Sequence, residues 1–489
     1  MTQLSNEDSK ALKAMLGRDP SPVEAAIIAT MWSEHCSYKS TRPLLKTLPT
    51  TGDAVALGVG QDAGIIKFAT HNNTQYGIAI SHESHNHPSQ LLPVEGAATG
   101  VGGVVRDVYC MGADVIGVLN SLHFSKDKAY IERGVVQGIG DYANALGVPV
   151  LGGEVIYDPS YAGNCLVNVA AVGLVDLDQI IYSTVPDAAT YTDYSLILLG
   201  KSTDATGFGG AAFSSESLAS GANTGAVQVH DPFLKRVIVD TLHAIWAYVK
   251  THDIQVGCKD LGAGGIACAT SEITGQFGAL IHLDKVNCIG ESLPPEVIAC
   301  SETQERFCLA VPTNHAAAIC HIANSDFAMG DLYPNAGAVV IGHITKKADY
   351  TIYYHEQTVC NLPVKLITTP VSTNRVATPR VPVVTPDVIP DLSVDSAQVI
   401  LNALKKDYAV NNRIYRRFDH GVRGEIAVIP GDGDAGVVVP IVGCHAGLSV
   451  TIDSVLYGHH DPYEAGVAAV AEAVRNTIAV GAEPLALTD

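Results

Sequence analysis

A repeat within the chain constrains its fold more than any other feature of the sequence. The segment RDVYCMGADVIGVLN at 106–120 matches RNTIAVGAEPLALTD at 475–489, and every matched pair is separated by 369 residues. HNHP at 85–88 and HHDP at 459–462 precede the two matched segments. A repeat of this size predicts duplicated halves that pack as a pseudo-dimer. Chance similarity between two Gly- and Ala-rich helices is the alternative, and the constant separation argues against it.

The length and composition of the chain exclude several classes of protein. A chain of 489 residues is long enough for about three domains. Thirty Lys and Arg against 50 Asp and Glu give a net charge of −20, which excludes a protein that binds the phosphate backbone of nucleic acids. Eleven cysteines without a CxxC pair indicate free thiols in a reducing compartment. The polar N-terminus is not typical of a signal peptide, and no apolar run is long enough to span a membrane, so we expect a cytoplasmic protein without membrane partners.

The alternation of short apolar runs with Gly-rich helical segments predicts mixed α/β and α+β domains. The segment YGIAISHES is typical of a strand, Gly96 to Met111 of a helix, and DVIGVLNSLHF of the next strand. The repeat predicts a final strand that ends at Asp489. The expected organisation is an N-terminal helical segment (1–49), a first α/β domain (50–180), an α+β domain (190–366), a Pro-rich linker (367–400) and a partial second α/β domain (401–489).

The densest polar cluster is SHESHNHPS at 81–89. If the preceding strand continues through it, Glu83, His85 and His87 share one face, and Ser84 and Asn86 share the other. Such a face could ligate a transition metal. Alternatively, Glu83 could hold a hard cation while a histidine acts as a general base. A polar strand end satisfied by turn hydrogen bonds is the third interpretation.

Two acidic and glycine-rich segments favour a metal–phosphate site. GAATGVGGVVRDV at 96–108 places Arg106 and Asp107 near a helix end, where a basic fork beside a carboxylate suits phosphate and magnesium. Helix packing with a surface ion pair is the alternative for this segment. In KDLGAGG, Asp260 precedes a turn that could present backbone N–H groups to phosphate, although no P-loop lysine follows.

Three further motifs carry weaker signals. TGFGG at 206–210 is a lone glycine loop. WSEHCSY places His35 beside a cysteine without a third orienting group, so a nucleophilic pair is not indicated. SETQERF offers Glu302 and Gln304 for binding hydroxyl groups, although Ser301 and Gln304 also fit a helix capping box.

Taken together, the motifs resemble one family. WSEHCSYKS, ESHNHPS, GAATGVGGVVRD, VQVHDPF, KDLGAGG, SETQERF and the segment from DPYEAG to Asp489 are similar, in the same order, to the synthetase subunit of phosphoribosylformylglycinamidine synthase of the small, multi-subunit type. The resemblance implies duplicated aminoimidazole-ribotide-synthetase-like halves that form a pseudo-dimer, with the second half incomplete in this sequence.

The resemblance also implies a reaction, cofactors and partners. ATP would phosphorylate the amide oxygen of formylglycinamide ribonucleotide, and ammonia would displace the phosphate to give the amidine. Because no glutaminase-type cysteine is found, ammonia would come from a separate glutaminase subunit, with a small bridging subunit. The implied site residues are catalytic His35 and His85; substrate-binding Ser84, His85, Asn86, His87, Arg106, Gln228, Glu302, Thr303 and Gln304; nucleotide-binding Tyr38, Ser81 and Asp489; and the Mg²⁺ ligands Glu83, Asp107 and Asp260.

Two departures from the family pattern stand out. Ser81, followed by His82, occupies the position of a lysine that touches nucleotide phosphate in the family. The family continues beyond Asp489 with a Gly-Asn-x-Ser turn for nucleotide, which this sequence does not contain. The alternatives to an ATP-dependent ligase are a substrate-binding fragment that needs a second chain, and a kinase-like member of the same superfamily with another small substrate. ESHNHPS and SETQERF argue against the latter.

Overall fold

The computed structural model describes residues 4–214, 224–290, 293–371, 373, 397–399, 401–402, 412–459 and 461–488. The α-helices are α1 (Asn6–Leu16), α2 (Pro22–Met31), α3 (Glu34–Ser37), α4 (Arg42–Leu45), α5 (Asn86–Leu91), α6 (Pro93–Cys110), α7 (Ala129–Leu146), α8 (Gly210–Ser214), α9 (Pro232–Thr251), α10 (Gly265–Glu272), α11 (Pro295–Cys300), α12 (Ala316–His321), α13 (Met329–Leu332), α14 (Val364–Thr368), α15 (Asn412–Tyr415) and α16 (Pro462–Ala479).

The strands are β1 (Val55–Leu57), β2 (Gly64–His71), β3 (Thr74–Ser84), β4 (Asp114–Phe124), β5 (Val150–Tyr157), β6 (Leu166–Asp176), β7 (Tyr194–Gly200), β8 (Gly257–Asp260), β9 (Gly278–His282), β10 (Arg306–Pro312), β11 (Gly337–Thr345), β12 (Asp349–Tyr354), β13 (Gln357–Pro363), β14 (Ile426–Val428), β15 (Gly436–Val438) and β16 (Leu448–Val450).

The first sheet has the strand order β1-β2-β3-β6-β4-β5. The pairing of β4 with β5 is parallel, and the other strand pairs are antiparallel. Helices α6 and α7 cover one face, where Val101, Val105 and Ile139 are fully buried. Strand β4 is buried along nearly its whole length because both of its faces are covered, which explains its unbroken apolar run.

The second sheet has the order β13-β12-β9-β11-β7-β10-β8. Helices α9 and α12 pack on one face through residues such as Leu234, Ile238 and Ile319, in the same core as α6 and α7. Helices α2, α10, α11 and α14 contribute to a second core on the other face. Because α9 also packs on α7, the two sheets with their helices meet around a shared interior.

The third sheet is small and comes from the second copy of the repeat. Strands β14, β15 and β16 form it, and its residues Val438 and Leu448 pack on Ile78, Ile116 and Leu151 of the first sheet. Face-to-face packing of the first and third sheets is the arrangement that the repeat predicted. Helix α16 follows this sheet as α6 follows β3 in the first copy.

Two sequence predictions about strands are wrong. Strand β3 ends at Ser84, and His85 is the residue before α5, so Glu83, His85 and His87 do not share a strand face. The Asn86 side chain accepts a hydrogen bond from the Val167 backbone at 2.7 Å and anchors this change of direction.

The predicted strand that ends at Asp489 is also not formed within the described residues 482–488. No strand in the described part of the chain pairs with this segment, and Pro484 lacks the backbone N–H that a ladder needs. Asp489 itself and most of the predicted linker, residues 372, 374–396 and 400, lie outside the described residues.

The cysteines are free, as the sequence predicted. All eleven lie in described residues and none is in a disulfide. Burial raises the pKa of the Cys36 thiol to about 12, so this neighbour of His35 is a neutral thiol rather than a nucleophilic thiolate. Of the helices that the structure describes, none has the length and apolar character needed to cross a bilayer.

Candidate functional site

A cavity lies where the first sheet, the second sheet and the N-terminal helices meet. Helix α3 contributes His35, the end of β3 contributes Glu83, the residue before α5 contributes His85, and α6 contributes Arg106. From the α+β side, the lining includes Gln228, Glu302 and Gln304. The structure thus brings together residues up to 269 positions apart, such as His35 and Gln304, that the sequence motifs identified separately.

His85 is a buried neutral imidazole with a defined orientation. Its Nδ1 lies 2.5 Å from the carbonyl oxygen of Gly96, so Nδ1 carries the proton and Nε2 keeps a lone pair. Burial, with smaller contributions from His35 and Arg106, lowers the pKa of His85 to about 4. Gly100 permits this packing, because a Cβ there would lie 2.9 Å from the Cβ of His85. At neutral pH the imidazole is therefore uncharged, and its Nε2 lone pair is available to accept a proton.

Two acidic side chains lie in surroundings that favour the protonated carboxyl group. Burial, together with Asp260 and Glu302, raises the pKa of Glu83 to about 8, although Arg106 opposes the shift. Burial and the charges of Asp260, Asp62 and Glu83 raise the pKa of Asp107 well above its usual range. Ser81, at the position where the family has lysine, donates from Oγ to Asp107 Oδ2 at 2.7 Å.

The donor chemistry of Glu83, Asp107 and Asp260 fits a hard divalent cation. In the described chain, no three His, Cys, Asp or Glu side chains are arranged closely enough to hold an ion by themselves. Mg²⁺, however, is held in proteins by one or two carboxylates, with waters and substrate phosphates as its other ligands. Burial first, and the neighbouring acids second, raise the pKa of Glu83 and of Asp107, and a bound cation would offset both effects by favouring the charged carboxylates.

Arg106 joins the two sides of the cavity. The side chain is 2% exposed. Its Nε donates to Asp260 Oδ2 at 3.1 Å, and its Nη1 donates to Gln304 Oε1. Burial lowers the pKa of Arg106, but the surrounding anions, Asp260 first, raise it further, so the guanidinium stays charged. It fixes Asp260 and Gln304 relative to α6, which belongs to the other domain.

Glu302 and Gln228 form a buried polar pair. Gln228 Nε2 donates to Glu302 Oε2 at 2.7 Å, and the Ala211 backbone N–H donates to Glu302 Oε1 at 2.8 Å. Burial raises the pKa of Glu302 to about 7. The Gln228 Oε1 atom is buried and has no hydrogen-bond partner among the described residues. An unpaired buried acceptor at a cavity wall indicates a ligand that carries an N–H or O–H donor.

The glycine loop TGFGG, which looked weak in the sequence, supports this pair. Gly207 has φ +71°, and a Cβ there would lie 2.8 Å from Gln228 Cγ and 3.0 Å from Glu302 Cβ. A Cβ on Gly210 would lie 2.5 Å from Glu302 Oε2. Both positions therefore need glycine for the backbone to approach Glu302.

Other residues implied by the resemblance lie outside the cavity lining. Ser84 donates to Asn168 at 2.6 Å, and Thr303 donates to Asp204 at 3.0 Å. His87 lies in α5 and does not line the cavity. Tyr38 is 55% exposed, and burial of its hydroxyl, with smaller effects of Glu83 and Asp107, raises its pKa.

Asp62 and Lys259 form a charged pair beside the acidic residues that the sequence motifs did not predict. Asp62, in the loop before β2, accepts from Lys259 Nζ and from the Cys110 thiol at 3.1 Å. Lys259 also pairs with Glu272 at 3.0 Å. Lys259 belongs to the KDLGAGG motif and could have been singled out there, whereas nothing in the sequence around Asp62 marks it.

Three family models match the chain. "AIR synthase related protein, N-terminal domain" matches residues 60–175 and 432–489, so both copies of the repeat match the same description. "AIR synthase related protein, C-terminal domain" matches residues 194–355. "Formylglycinamide ribonucleotide amidotransferase linker domain" matches residues 1–39.

Similar proteins carry one name. The chain is 42% identical to "Phosphoribosylformylglycinamidine synthase subunit PurL" of Methanothrix thermoacetophila and 37% identical to that of Deinococcus radiodurans, over 99% of its length in both cases. It spans 64% of the length of each of these relatives. Among solved structures, Thermotoga maritima PurL complexed with FGAR has a TM-score of 0.79 and 32% identity, covering 98% of this chain and 72% of that one. The same protein complexed with ATP has a TM-score of 0.75 and 30% identity, covering 98% and 71%.

Proposed function

This chain belongs to the family of phosphoribosylformylglycinamidine synthase PurL subunits, and from that premise we propose that it converts formylglycinamide ribonucleotide (FGAR) to the amidine with ATP and ammonia. One observation carries the proposal: Glu83, His85, Arg106, Gln228, Glu302 and Gln304 line a single cavity. The solved relative is complexed with FGAR in one structure and with ATP in another, which supports both substrates.

The walls of the cavity offer groups suited to the substrate. Gln228 Oε1 has no partner among the described residues and would accept a hydrogen bond from a substrate N–H or hydroxyl group. Glu302, with its pKa near 7, would bind a ribose or amide donor. Arg106, which lines the cavity and pairs with Asp260, would supply positive charge to a phosphate group of a bound substrate.

His85 would supply the base for the first chemical step. As the amide oxygen attacks the γ-phosphorus of ATP, the amide nitrogen must lose its proton for the C=N bond to form. His85 Nε2 is the accepting atom, because Nδ1 is committed to the Gly96 carbonyl. ADP leaves, and ammonia then adds to the activated carbon and displaces phosphate, which completes the amidine.

Glu83, Asp107 and Asp260 would hold Mg²⁺ together with the nucleotide phosphates. When bound, the ion neutralises charge on the triphosphate and makes its terminal phosphorus more open to attack. Ser81 Oγ would keep the Asp107 carboxylate oriented. Tyr38 would contact the nucleotide from the rim of the site.

We also propose partner subunits and a cellular location for this chain. Ammonia would come from a glutaminase subunit through a small bridging subunit, since a solved relative is described as PurLQS from Thermotoga maritima. The eleven free thiols support a reducing cytoplasm as the location.

Calorimetric titration of the 489-residue chain with FGAR tests the binding proposal. We expect saturable binding, and we expect Gln228→Leu to weaken it by about tenfold because a buried hydrogen-bond partner is lost. Gln137→Leu, on the exposed face of α7, is the matched control and should bind as the parent chain does. Absence of FGAR binding by the parent chain would overturn the proposed function.

Turnover is tested with ATP, Mg²⁺ and ammonium chloride, with and without the glutaminase and bridging subunits. His85→Asn should lower amidine formation by at least about a hundredfold, since general-base catalysis contributes on that order, while FGAR binding persists. Activity of His85→Asn within about tenfold of the parent would remove the assignment of His85 as the base.

A further inference from the structure

A buried charged cluster lies behind the cavity wall that carries Glu302 and Gln304. Its centre is Glu305, which is fully buried. Lys235 Nζ of α9, also fully buried, lies 2.7 Å from Glu305 Oε2. The Tyr142 hydroxyl of α7 donates to the Glu305 carboxylate, 2.9 Å from either oxygen, and the Asp231 backbone N–H donates to Oε1 at 3.1 Å. The carboxylate therefore joins α7 of the first domain to α9 of the second.

The backbone at Glu305 is strained. Its φ is +64°, in the left-handed region that a side chain with a Cβ rarely adopts. The Glu305 carbonyl accepts from the Lys201 backbone at 3.0 Å, and it packs on Gly200, where a Cβ would lie 2.0 Å away. Strain of this kind is unfavourable and persists only where surrounding contacts enforce it.

This turn separates the cavity wall from strand β10. The chain bends at Gln304 and Glu305, so Glu302 and Gln304 line the cavity before β10 begins at Arg306. Gln304 accepts from Arg106, and Glu302 accepts from Gln228. A change of the backbone at Glu305 would move these two side chains together.

We propose that Glu305, held by Lys235 and Tyr142, is a positioning residue that fixes residues 302–304 in the conformation that receives the substrate. This inference rests on the proposed function, because it takes FGAR as the substrate.

The cluster is poorly explained as a device for stability alone. Burying two charges removes them from water at a cost that their attraction often fails to offset, so an apolar pair of the same size is commonly as stable. The carboxylate instead accepts hydrogen bonds from two separate segments, the Tyr142 hydroxyl of α7 and the Asp231 backbone at the start of α9, and it forms an ion pair with Lys235 in the first turn of α9. Such contacts define one backbone conformation, which apolar packing does less well.

Glu305→Gln and Tyr142→Phe test the inference with minimal change in shape. Tyr130→Phe is the matched control, because Tyr130 is on the same helix but 56% exposed. We expect FGAR affinity to fall by at least about tenfold in Glu305→Gln and about fivefold in Tyr142→Phe, since each loses a buried hydrogen bond with a charged group. Tyr130→Phe should bind as the parent chain does.

Hydrogen exchange measures the conformation of the segment without substrate. Exchange at residues 301–305 should accelerate in Glu305→Gln and Tyr142→Phe, while α12 and β11 keep their protection. Unchanged exchange in this segment, or FGAR affinity within about twofold of the parent in both variants, would overturn the positioning role. If the parent chain does not bind FGAR, the proposed function is overturned instead. The hydrogen-exchange result alone would then test whether Glu305 fixes the conformation of residues 302–304.

Discussion

Helices α6 and α16 are the same segment of the repeat in two different environments. Each has 18 residues and begins at a proline, and their bounds, Pro93–Cys110 and Pro462–Ala479, are separated by 369 residues. Fourteen residues of α6 are buried, whereas Ala465 is the one buried residue among the described side chains of α16. Helix α6 packs on β3, β6 and α7, and α16 packs mainly on the short turn at Leu456–His459. Similar sequence thus produces different burial because the neighbouring elements differ.

Helices α6 and α16 also differ at the positions where α6 packs against Glu83 and His85. Gly100 and Gly103 of α6 allow His85 and Glu83 to approach, since a Cβ on Gly103 would lie 2.2 Å from Glu83 Oε2. The corresponding residues of α16 are Ala469 and Glu472, which would block such an approach. Glycine therefore occupies these two positions in the copy of the repeat whose helix packs against Glu83 and His85.

The largest expected difference between the copies is the pH dependence of stability. The pKa of Glu83 is about 8 in the folded chain against 4.5 for the ordinary side chain, so the folded state binds the extra proton between these values. Glu83 does not reduce the free energy of unfolding below pH 4.5. As the pH rises from 4.5 through 8, the free energy of unfolding falls by roughly 3–5 kcal/mol, because the folded state must give up a proton that it binds more tightly than the unfolded state does. Urea unfolding in EDTA should show Glu83→Gln flattening this slope and Glu472→Gln changing it little. Equal slopes in the parent and Glu83→Gln would contradict the assignment.

Replacing the arginine of each copy of the repeat should give the next largest difference in the free energy of unfolding. Arg106 is 2% exposed and pairs with Asp260, whereas Arg475 is exposed. Arg106→Met should cost about 3–5 kcal/mol because Asp260 is left without its partner. Arg475→Met should change the free energy of unfolding by less than about 0.5 kcal/mol. Similar urea midpoints for the two variants would show that α6 is not buried as described.

A valine pair compares apolar burial directly. Val101 is fully buried, and its counterpart Val470 is 47% exposed. Val101→Ala should cost about 2 kcal/mol through lost packing and a residual cavity. Val470→Ala should be neutral or slightly stabilising, because alanine is the better helix former and little packing is lost. Thermal unfolding of both variants measures the contrast, and a large loss in Val470→Ala would reveal a buried role for α16.

Exchanging glycine and alanine at Gly100 and at its counterpart Ala469 should give the smallest effects on stability. Gly100→Ala should cost about 1–3 kcal/mol, because its Cβ would lie 2.9 Å from that of His85. Ala469→Gly should cost only about 0.5–1 kcal/mol, the usual penalty for glycine inside a helix. The same thermal scans measure both. FGAR binding should fall in Gly100→Ala and remain in Ala469→Gly, and the reverse result would assign the substrate to the second copy.

Much of the local structure could be predicted from the sequence. Strand β4 coincides with the predicted DVIGVLNSLHF segment, and α6 lies within three residues of its predicted start. The motifs also predicted Glu83, His85, Arg106 and Glu302 as candidate site residues, because polar groups beside glycine-rich turns are conspicuous in a chain with only 16% charged residues. That these side chains line one cavity was implied by the family resemblance and not by spacing.

Some features could not be predicted because they depend on long-range contacts. The end of β3 at Ser84 depends on Val167, which is distant in sequence and anchors Asn86. The roles of Asp62 and Glu305 depend on Lys259 and Lys235, which other elements bring beside them. The expected strand near Asp489 failed for the same reason, since apolar pattern predicts a strand only where a neighbour completes the ladder.

The sequence by itself determined the repeat, the family and the order of helices and strands, because these follow from local patterns and motif spacing. Tertiary structure alone decided which copy of the repeat is buried, which imidazole nitrogen of His85 accepts a proton, and how Glu305 is held in a strained turn. Burial, tautomer and strain are set by neighbours from distant parts of the chain, and no local pattern records which neighbours those will be.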